Sequence, residues 1–160
     1  MEMVRRILMY AAFAASTAAA ADFSLSIGNA FAALVPGGAT TPVVKKTGNQ
    51  FAVRMQNCDA PDQAHLNGTA EGLVQGARTS AAVSIDAASP GIYVVSPTGT
   101  QSQGVWVVSL TASCGGAKAG ALVPIGPQGF LRDKVKLFSR AATKAEVDAA
   151  LKALPGGSTP

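Results

Sequence analysis

Charged residues are scarce in this chain of 160 residues, at 14% against 48% for apolar residues. Disordered chains show the opposite balance, so the composition excludes intrinsic disorder and favours one domain with a real core. The net charge is only +4, and the basic residues are scattered apart from two small groups, Lys45-Lys46 and Arg132, Lys134, Lys136 and Arg140. Nucleic-acid sites need clustered cations with stacking aromatic residues. We therefore expect no nucleic-acid partner and interpret the second group as a solvated edge.

Sequence motifs of catalysis are also missing. The chain has no GxSxG nucleophile elbow, no phosphate loop, no GxGxxG and no CxxCH haem site. Its acidic residues are few, and none lies in an aromatic-rich setting that would suit glycoside hydrolysis. We predict that the protein is not an enzyme and uses no cofactor.

The N-terminus has the pattern of a cleavable signal peptide. Arg5 and Arg6 precede the apolar stretch ILMYAAFAASTAAA, which is shorter than the roughly 20 residues that span a bilayer. Small residues at Ala19 and Ala21 predict cleavage before Asp22, so residues 1–21 form the predicted leader. No cysteine stands at that site, which disfavours a lipoprotein, and no second apolar run of that length follows. We expect a periplasmic or extracellular mature chain without a transmembrane segment.

Two cysteines, Cys58 and Cys114, lie in the exported part of the chain. In an oxidising compartment a disulfide between them is the default expectation. Neither belongs to a CxxC pair, which argues against redox catalysis.

Runs of alternating polarity predict an all-β fold. Phe51, Val53 and Met55 share one face of NQFAVRMQN, and TSAAVSIDA, GIYVVSP and GVWVVSLTASC read as further strands. Additional strands are predicted at 23–27, 42–46, 65–74, 119–125 and 134–138. Turn sequences separate these runs at short intervals, which indicates an antiparallel sandwich rather than a parallel α/β sheet. Trp106 shares a face with Cys114, and a tryptophan beside a disulfide is typical of immunoglobulin-like sandwiches. We predict an immunoglobulin-like antiparallel β-sandwich over residues 22–140.

The last part of the chain changes to helical periodicity. TKAEVDAALKALPGG places Val147, Leu151 and Leu154 on one stripe, Thr143 with Glu146 forms a capping box, and Pro155-Gly156 ends the helix. We predict a short amphipathic helix within 141–155 and a disordered tail at 156–160. The stripe either packs on its own domain or binds a partner.

The chain's single histidine lies in a loop that could hold a metal. His65, with Met55, Asp59 and Asp62, would suit copper or zinc. The alternative is a polar loop at 59–65, in which Pro61 turns the chain and the aspartates cap local backbone groups.

FAVRMQNCDA, followed by GTAEG and AAVSIDAASPG, resembles a segment of chaperone–usher pilin subunits. That family has an alternating strand that ends in a Cys-Asp pair, but its other cysteine lies upstream, whereas Cys114 lies downstream. The resemblance implies a pilus-like surface subunit whose sandwich is completed by a partner strand. SPGIYVV with GVWVVSLTA is also similar to the closing hairpin of small periplasmic sandwiches, some of which handle copper.

These observations predict an exported, non-enzymatic binding or structural protein of the cell envelope that acts through contacts with another envelope or surface protein. The alternatives are a periplasmic copper or zinc handling protein that uses His65, and a pilus-like surface subunit. An oligomer is left open.

Overall fold

The computed structural model describes residues 22–30, 49–98, 100 and 104–155. Three predicted segments lie outside these residues: the signal peptide at 1–21, the strand at 42–46 and the tail at 156–160.

Antiparallel strands make up most of the described chain. They are β1 (Ser24–Asn29), β2 (Phe51–Gln56), β3 (His65–Val74), β4 (Ala77–Ala81), β5 (Val83–Ser89), β6 (Ile92–Pro97), β7 (Val105–Cys114), β8 (Ala117–Gly126), β9 (Gly129–Phe130) and β10 (Lys136–Phe138). Short 3-10 turns occupy Pro61–Gln63 and Arg132–Lys134, and the C-terminal helix α1 spans Lys144–Ala153.

The strands form two sheets. Sheet A has the order β1-β2-β6-β5, and sheet B has the order β10-β8-β7-β3-β4 with β9 added to β8. Every pairing is antiparallel. The all-β sandwich and the short C-terminal helix expected from the sequence are therefore confirmed.

The core lies between the two sheets and follows the predicted alternation. Phe51, Val53 and Met55 of β2 are buried, whereas Arg54 and Gln56 on the other face are exposed; Ala52 on that other face is buried as well. On β7 the face that begins at Trp106 and ends at Cys114 is buried in the same core. Period-two alternation predicted this burial because successive strand residues point to opposite faces of a sheet.

The stretch TSAAVSIDA, predicted as one strand, is divided between the two sheets. Ala81 ends β4 and pairs with Ala70 in sheet B, whereas Val83 begins β5 and pairs with Pro97 in sheet A. Ala82 is the crossing point. Because Ala81, Val83 and Ile85 all pack against the same core, the alternation continues through the crossing and the sequence pattern does not reveal it.

Helix α1 covers part of the outer face of sheet B. Its buried residues pack against Val105, Val107 and Leu122, which point away from the sandwich core. The predicted capping box is present, because Thr143 Oγ1 accepts from the Glu146 amide at 3.3 Å and a Glu146 carboxylate oxygen accepts from the Thr143 amide at 2.7 Å. Strand β7 is thus buried on both faces where the helix lies.

Candidate functional site

The predicted disulfide between Cys58 and Cys114 is confirmed. It joins the end of β2 in sheet A to the end of β7 in sheet B, with the two Cα atoms 5.7 Å apart. This link ties the two layers at one end of the sandwich. It is consistent with a location outside the reducing cytoplasm.

The loop that follows β2 is held by hydrogen bonds to backbone groups. Asn57 has a φ of 57°, and its side-chain amide donates to the Asp22 carbonyl at 3.0 Å. The Tyr93 hydroxyl donates to the Ala64 carbonyl at 3.1 Å. Between these anchors Pro61–Gln63 forms the 3-10 turn. The loop therefore has the character of a polar surface connection.

The four predicted metal ligands are placed in different surroundings. Met55 is buried in the sandwich core, whereas Asp59 and Asp62 are exposed on the loop. His65 is exposed at the start of β3, where it alternates with buried Leu66 and so lies on the outer face of sheet B. Within the described ranges, no three His, Cys, Asp or Glu residues gather closely enough to hold a metal ion. The metal prediction gains no support from this geometry.

The predicted partner-binding stripe on α1 lies against the chain's own sheet. Val147, Leu151 and Leu154 are 4%, 1% and 4% exposed. Of the two roles that the sequence left open for this stripe, packing on its own domain is the arrangement in this structure. A partner could reach these three side chains only after the helix had left sheet B.

Two residues in the first half of α1, Glu146 and Asp148, form ion pairs. Arg78 of β4 bridges Glu71 of β3 and Asp148 of α1, and Arg140 Nη2 lies 2.7 Å from Glu146 Oε1. The hydrogen bond from Arg78 lowers the pKa of Asp148. Those from Arg140 and from the Thr143 amide lower the pKa of Glu146 to about 2. The helix is thus docked more firmly while these carboxylates are charged.

A groove opens between the edges of the two sheets. In the described structure, β1 is an edge strand of sheet A and β10 is an edge strand of sheet B, and the two strands contact each other. The groove has a volume of about 340 Å³. We call it the edge groove; it is lined by Leu25, Ser26, Ile27, Gln56, Arg132, Val135 and Leu137. Leu137 is 53% exposed and is the large apolar side chain left on the described surface.

The edge groove has a basic border. Arg132 reaches toward β1, since a Cβ atom built on Gly28 would lie 3.8 Å from its Nη2 atom. Lys134 and Lys136 are exposed on the same segment. Across the part of the chain that is described, neither Arg132 nor these two lysines take part in an ion pair. Asp133 is the acidic residue between them, so the border keeps a net positive charge.

The edge strands of the described sheets differ in the residues that could block edge pairing. Proteins commonly block edge pairing with charges, prolines or bulges. Strand β5 carries Asp86 and a register shift between Ala87 and Ser89, and β4 carries the ion-paired Arg78. Strand β1, SLSIGN, has no charged residue and no proline, and its pairing with β2 is regular over its whole length.

Sequence reasoning did not find the edge groove. It identified the basic group of residues 132–140 and interpreted it as a solvated edge, but it could not say which strands are edges. The sequence did contain one signal for an edge strand of this kind, namely that residues 24–29 include no charged residue.

Comparison of the chain with protein families, with curated proteins and with solved structures gives no match. Among the described helices, none has both the length and the apolar character needed to cross a membrane.

Proposed function

We propose that this chain is an exported, non-enzymatic binding protein of the cell envelope or cell surface, which contacts another protein through the edge groove. The observation that carries this proposal is the edge groove beside edge strand β10, in which the apolar side chain of Leu137 is 53% exposed. Open strand edges readily accept a further strand. Such a role needs no catalytic side chains, and the polar loop at 59–65 is then a surface connection.

Export is supported from two directions. The disulfide suits an oxidising compartment. The predicted cleavage after Ala21 would leave Asp22 exposed at the new terminus, directly before buried Phe23 and strand β1. Cleavage there would leave every described strand intact, because β1 begins at Ser24.

We further propose that the sandwich is immunoglobulin-like. Its order β1-β2-β6-β5 corresponds to strands A, B, E and D, and β8-β7-β3-β4 corresponds to G, F, C and C′. The disulfide then joins the ends of strands B and F, as in antibody domains. Trp106 departs from that pattern because it lies on β7 rather than on β3, and β9, β10 and α1 are additions.

A pilus-like subunit would need an open position beside β7 for a partner strand. Strand β8 of the same chain occupies this position and pairs with β7 from Trp106 to Cys114. Because β8 fills the position beside β7, the pilus-like alternative gains no support from this structure.

Photocrosslinking in cells that export the protein tests the proposed contact. A photoreactive amino acid is placed at Leu137, and the matched control carries it at Ser84, an exposed residue of the opposite edge strand β5. We expect a discrete adduct from position 137 that is absent from position 84. Equal adducts from both positions, or none from position 137, would overturn the proposal.

A further inference from the structure

We propose that the edge groove binds the C-terminus of a partner protein, with the terminal carboxylate at Arg132 and an apolar last side chain against Leu137. This inference rests on the proposed function and names the part of the partner that enters the groove. Such binding uses only the side chains that line the groove, and all of them belong to the described structure.

The lining of the edge groove combines one cation with apolar side chains. Of its seven residues, Arg132 alone carries a charge, Ser26 and Gln56 are neutral and polar, and the other four are apolar. Pockets of this kind take a largely apolar ligand and fix its orientation through a few polar contacts. The lining therefore matches a ligand that has one negative charge beside an apolar group.

Arg132 supplies the position for the carboxylate. Its side chain lines the groove, and its Nη2 atom lies 3.8 Å from a Cβ atom built on Gly28 of β1. Arg132 forms no ion pair with any residue of the described structure. A guanidinium donates two parallel hydrogen bonds to a carboxylate, which makes such pairs directional. The charge of Arg132 is therefore available to a carboxylate that enters the groove.

Leu137 supplies the apolar contact. It pairs with Ala121, which is buried in the sandwich core, so Leu137 lies on the core side of sheet B. It is nevertheless 53% exposed, whereas Leu25 in the same lining is 2% exposed. An apolar side chain that enters the groove would cover part of Leu137, and this is favourable in proportion to the apolar area removed from water.

The volume of the groove favours a chain end over a long segment. It is about 340 Å³, near the lower limit for pockets that hold small ligands. In a C-terminal residue the carboxylate and the side chain are bonded to the same Cα atom, so one residue brings both groups into a small space. In glutamate or aspartate the carboxylate is itself the side chain, and an internal residue of this type supplies no apolar group.

The neighbouring lysine Lys136 lies outside this site. It pairs with Leu122, which packs on the outer face of sheet B, and it does not line the groove. An exposed cation in this position attracts an anion over a distance and speeds its approach, but it adds no contact in the groove. Lys136 therefore provides a control of equal charge for Arg132.

Short peptides test the proposal on the oxidised full chain. The probe is an acetylated tetrapeptide of serine and glycine that ends in leucine with a free carboxylate. One control has the same sequence with a C-terminal amide, a second ends in serine, and a third is amidated and carries glutamate before the leucine. Binding is followed by amide chemical shifts in two-dimensional NMR. We expect the probe to shift the amides of residues 25–27, 132 and 135–137 and to bind at least about threefold more tightly than each control.

Two substitutions assign the contacts. Arg132→Gln should weaken binding of the probe by about two- to tenfold, but it should leave the amidated peptide unaffected because that peptide has no carboxylate. Leu137→Ala should weaken the probe by a similar factor and leave the serine-ended peptide unaffected. Lys136→Gln is the matched control and should change the affinity of the probe by less than about twofold.

Three results would overturn the proposal: equal binding of the amidated peptide, equal binding of the glutamate peptide, and equal losses from Arg132→Gln and Lys136→Gln. The second would assign the groove to an acidic side chain, and the third would indicate a diffuse positive surface. A dimer of this chain that the probe dissociates would assign the groove to a second copy and would overturn it as well.

The peptide and crosslinking experiments separate this inference from the proposed function. If adducts from position 137 persist while the probe binds no better than its controls, the inference of a bound C-terminus falls and the proposed function stands. If the adducts are also absent, both fall.

Discussion

Replacing Gly72 with alanine tests the packing of the single tryptophan in the chain. Gly72 on β3 pairs with Trp106 on β7, and the indole ring lies over the glycine. A Cβ atom built on Gly72 would approach the ring carbon Cδ2 of Trp106 to 2.6 Å. Such a contact is too short to persist, so the strand or the ring must move.

The expected cost follows from this close contact. Overpacking a core typically costs about 1–3 kcal/mol, whereas alanine in a strand interior recovers about 0.5–1 kcal/mol relative to glycine. The net loss should be about 1–2 kcal/mol. For a domain of this size, that corresponds to a melting temperature lowered by about 3–10 °C.

Urea unfolding followed by tryptophan fluorescence measures this change directly, since Trp106 is the only source of the signal. The indole N–H has no hydrogen-bond partner in the described structure, so the ring is held by packing. Its emission wavelength should therefore shift when the alanine methyl group at position 72 displaces the ring. Gly116→Ala is the matched control, because nothing lies within 4 Å of a Cβ atom at that turn position.

A double-mutant cycle identifies the cause of any loss. With Trp106→Phe in the background, Gly72→Ala should cost less by about 0.5–2 kcal/mol, within the range for residues in contact and up to the whole of the expected loss, as measured by circular dichroism. Full additivity, or a Gly72→Ala variant as stable as the parent with unchanged emission, would refute the packing of the indole on Gly72.

Two further predictions concern the disulfide and the acid side of the pH range. Replacing Cys58 and Cys114 with alanine opens a loop with a separation of 56 residues, and the unfolding free energy should fall by about 4 kcal/mol on the chain-entropy model; an unchanged urea midpoint would contradict it. The pKa of Glu146 is lowered from 4.5 to about 2 and that of Asp148 is also lowered, so their stabilising contribution is complete above pH 4.5 and is lost as the pH falls toward 2. Asp148→Asn should be less stable than the parent at neutral pH and should lose less on acidification; parallel stability curves would exclude this role for Asp148.

The strand pattern could be predicted well from the sequence because burial on one face imposes a period of two. Phe51, Val53 and Met55 were placed on the buried face by their spacing alone. The capping box of Thr143 and Glu146 was equally accessible, since it depends on residues three positions apart. The two cysteines could be paired because no other cysteine competes. Strand β7 is buried on both faces where the helix covers it. The alternating pattern predicted burial of the face with Trp106, but it did not predict that the other face would also be buried.

The candidate site could not be predicted from the sequence. Leu25 and Ile27 belong to a strand near the N-terminus, whereas Arg132, Val135 and Leu137 lie more than a hundred positions later. Their approach depends on which strands lie at the sheet edges, and edge position follows from pairing partners distributed over the whole chain. The crossing at Ala82 was hidden for a related reason, because both strands on either side of it face one core.

The sequence by itself determined an all-β chain with one disulfide, a capped C-terminal helix and a leader-like start. These features depend on local spacing, on residue type and on the absence of competing partners. Only the tertiary structure decided that Val147, Leu151 and Leu154 are covered by sheet B. It also decided that Met55 lies in the core while His65 lies on the outer face of sheet B, and that β1 and β10 leave the edge groove between them. Such outcomes depend on contacts between distant segments, and those contacts are fixed when the two sheets pack together and not by any single stretch of residues.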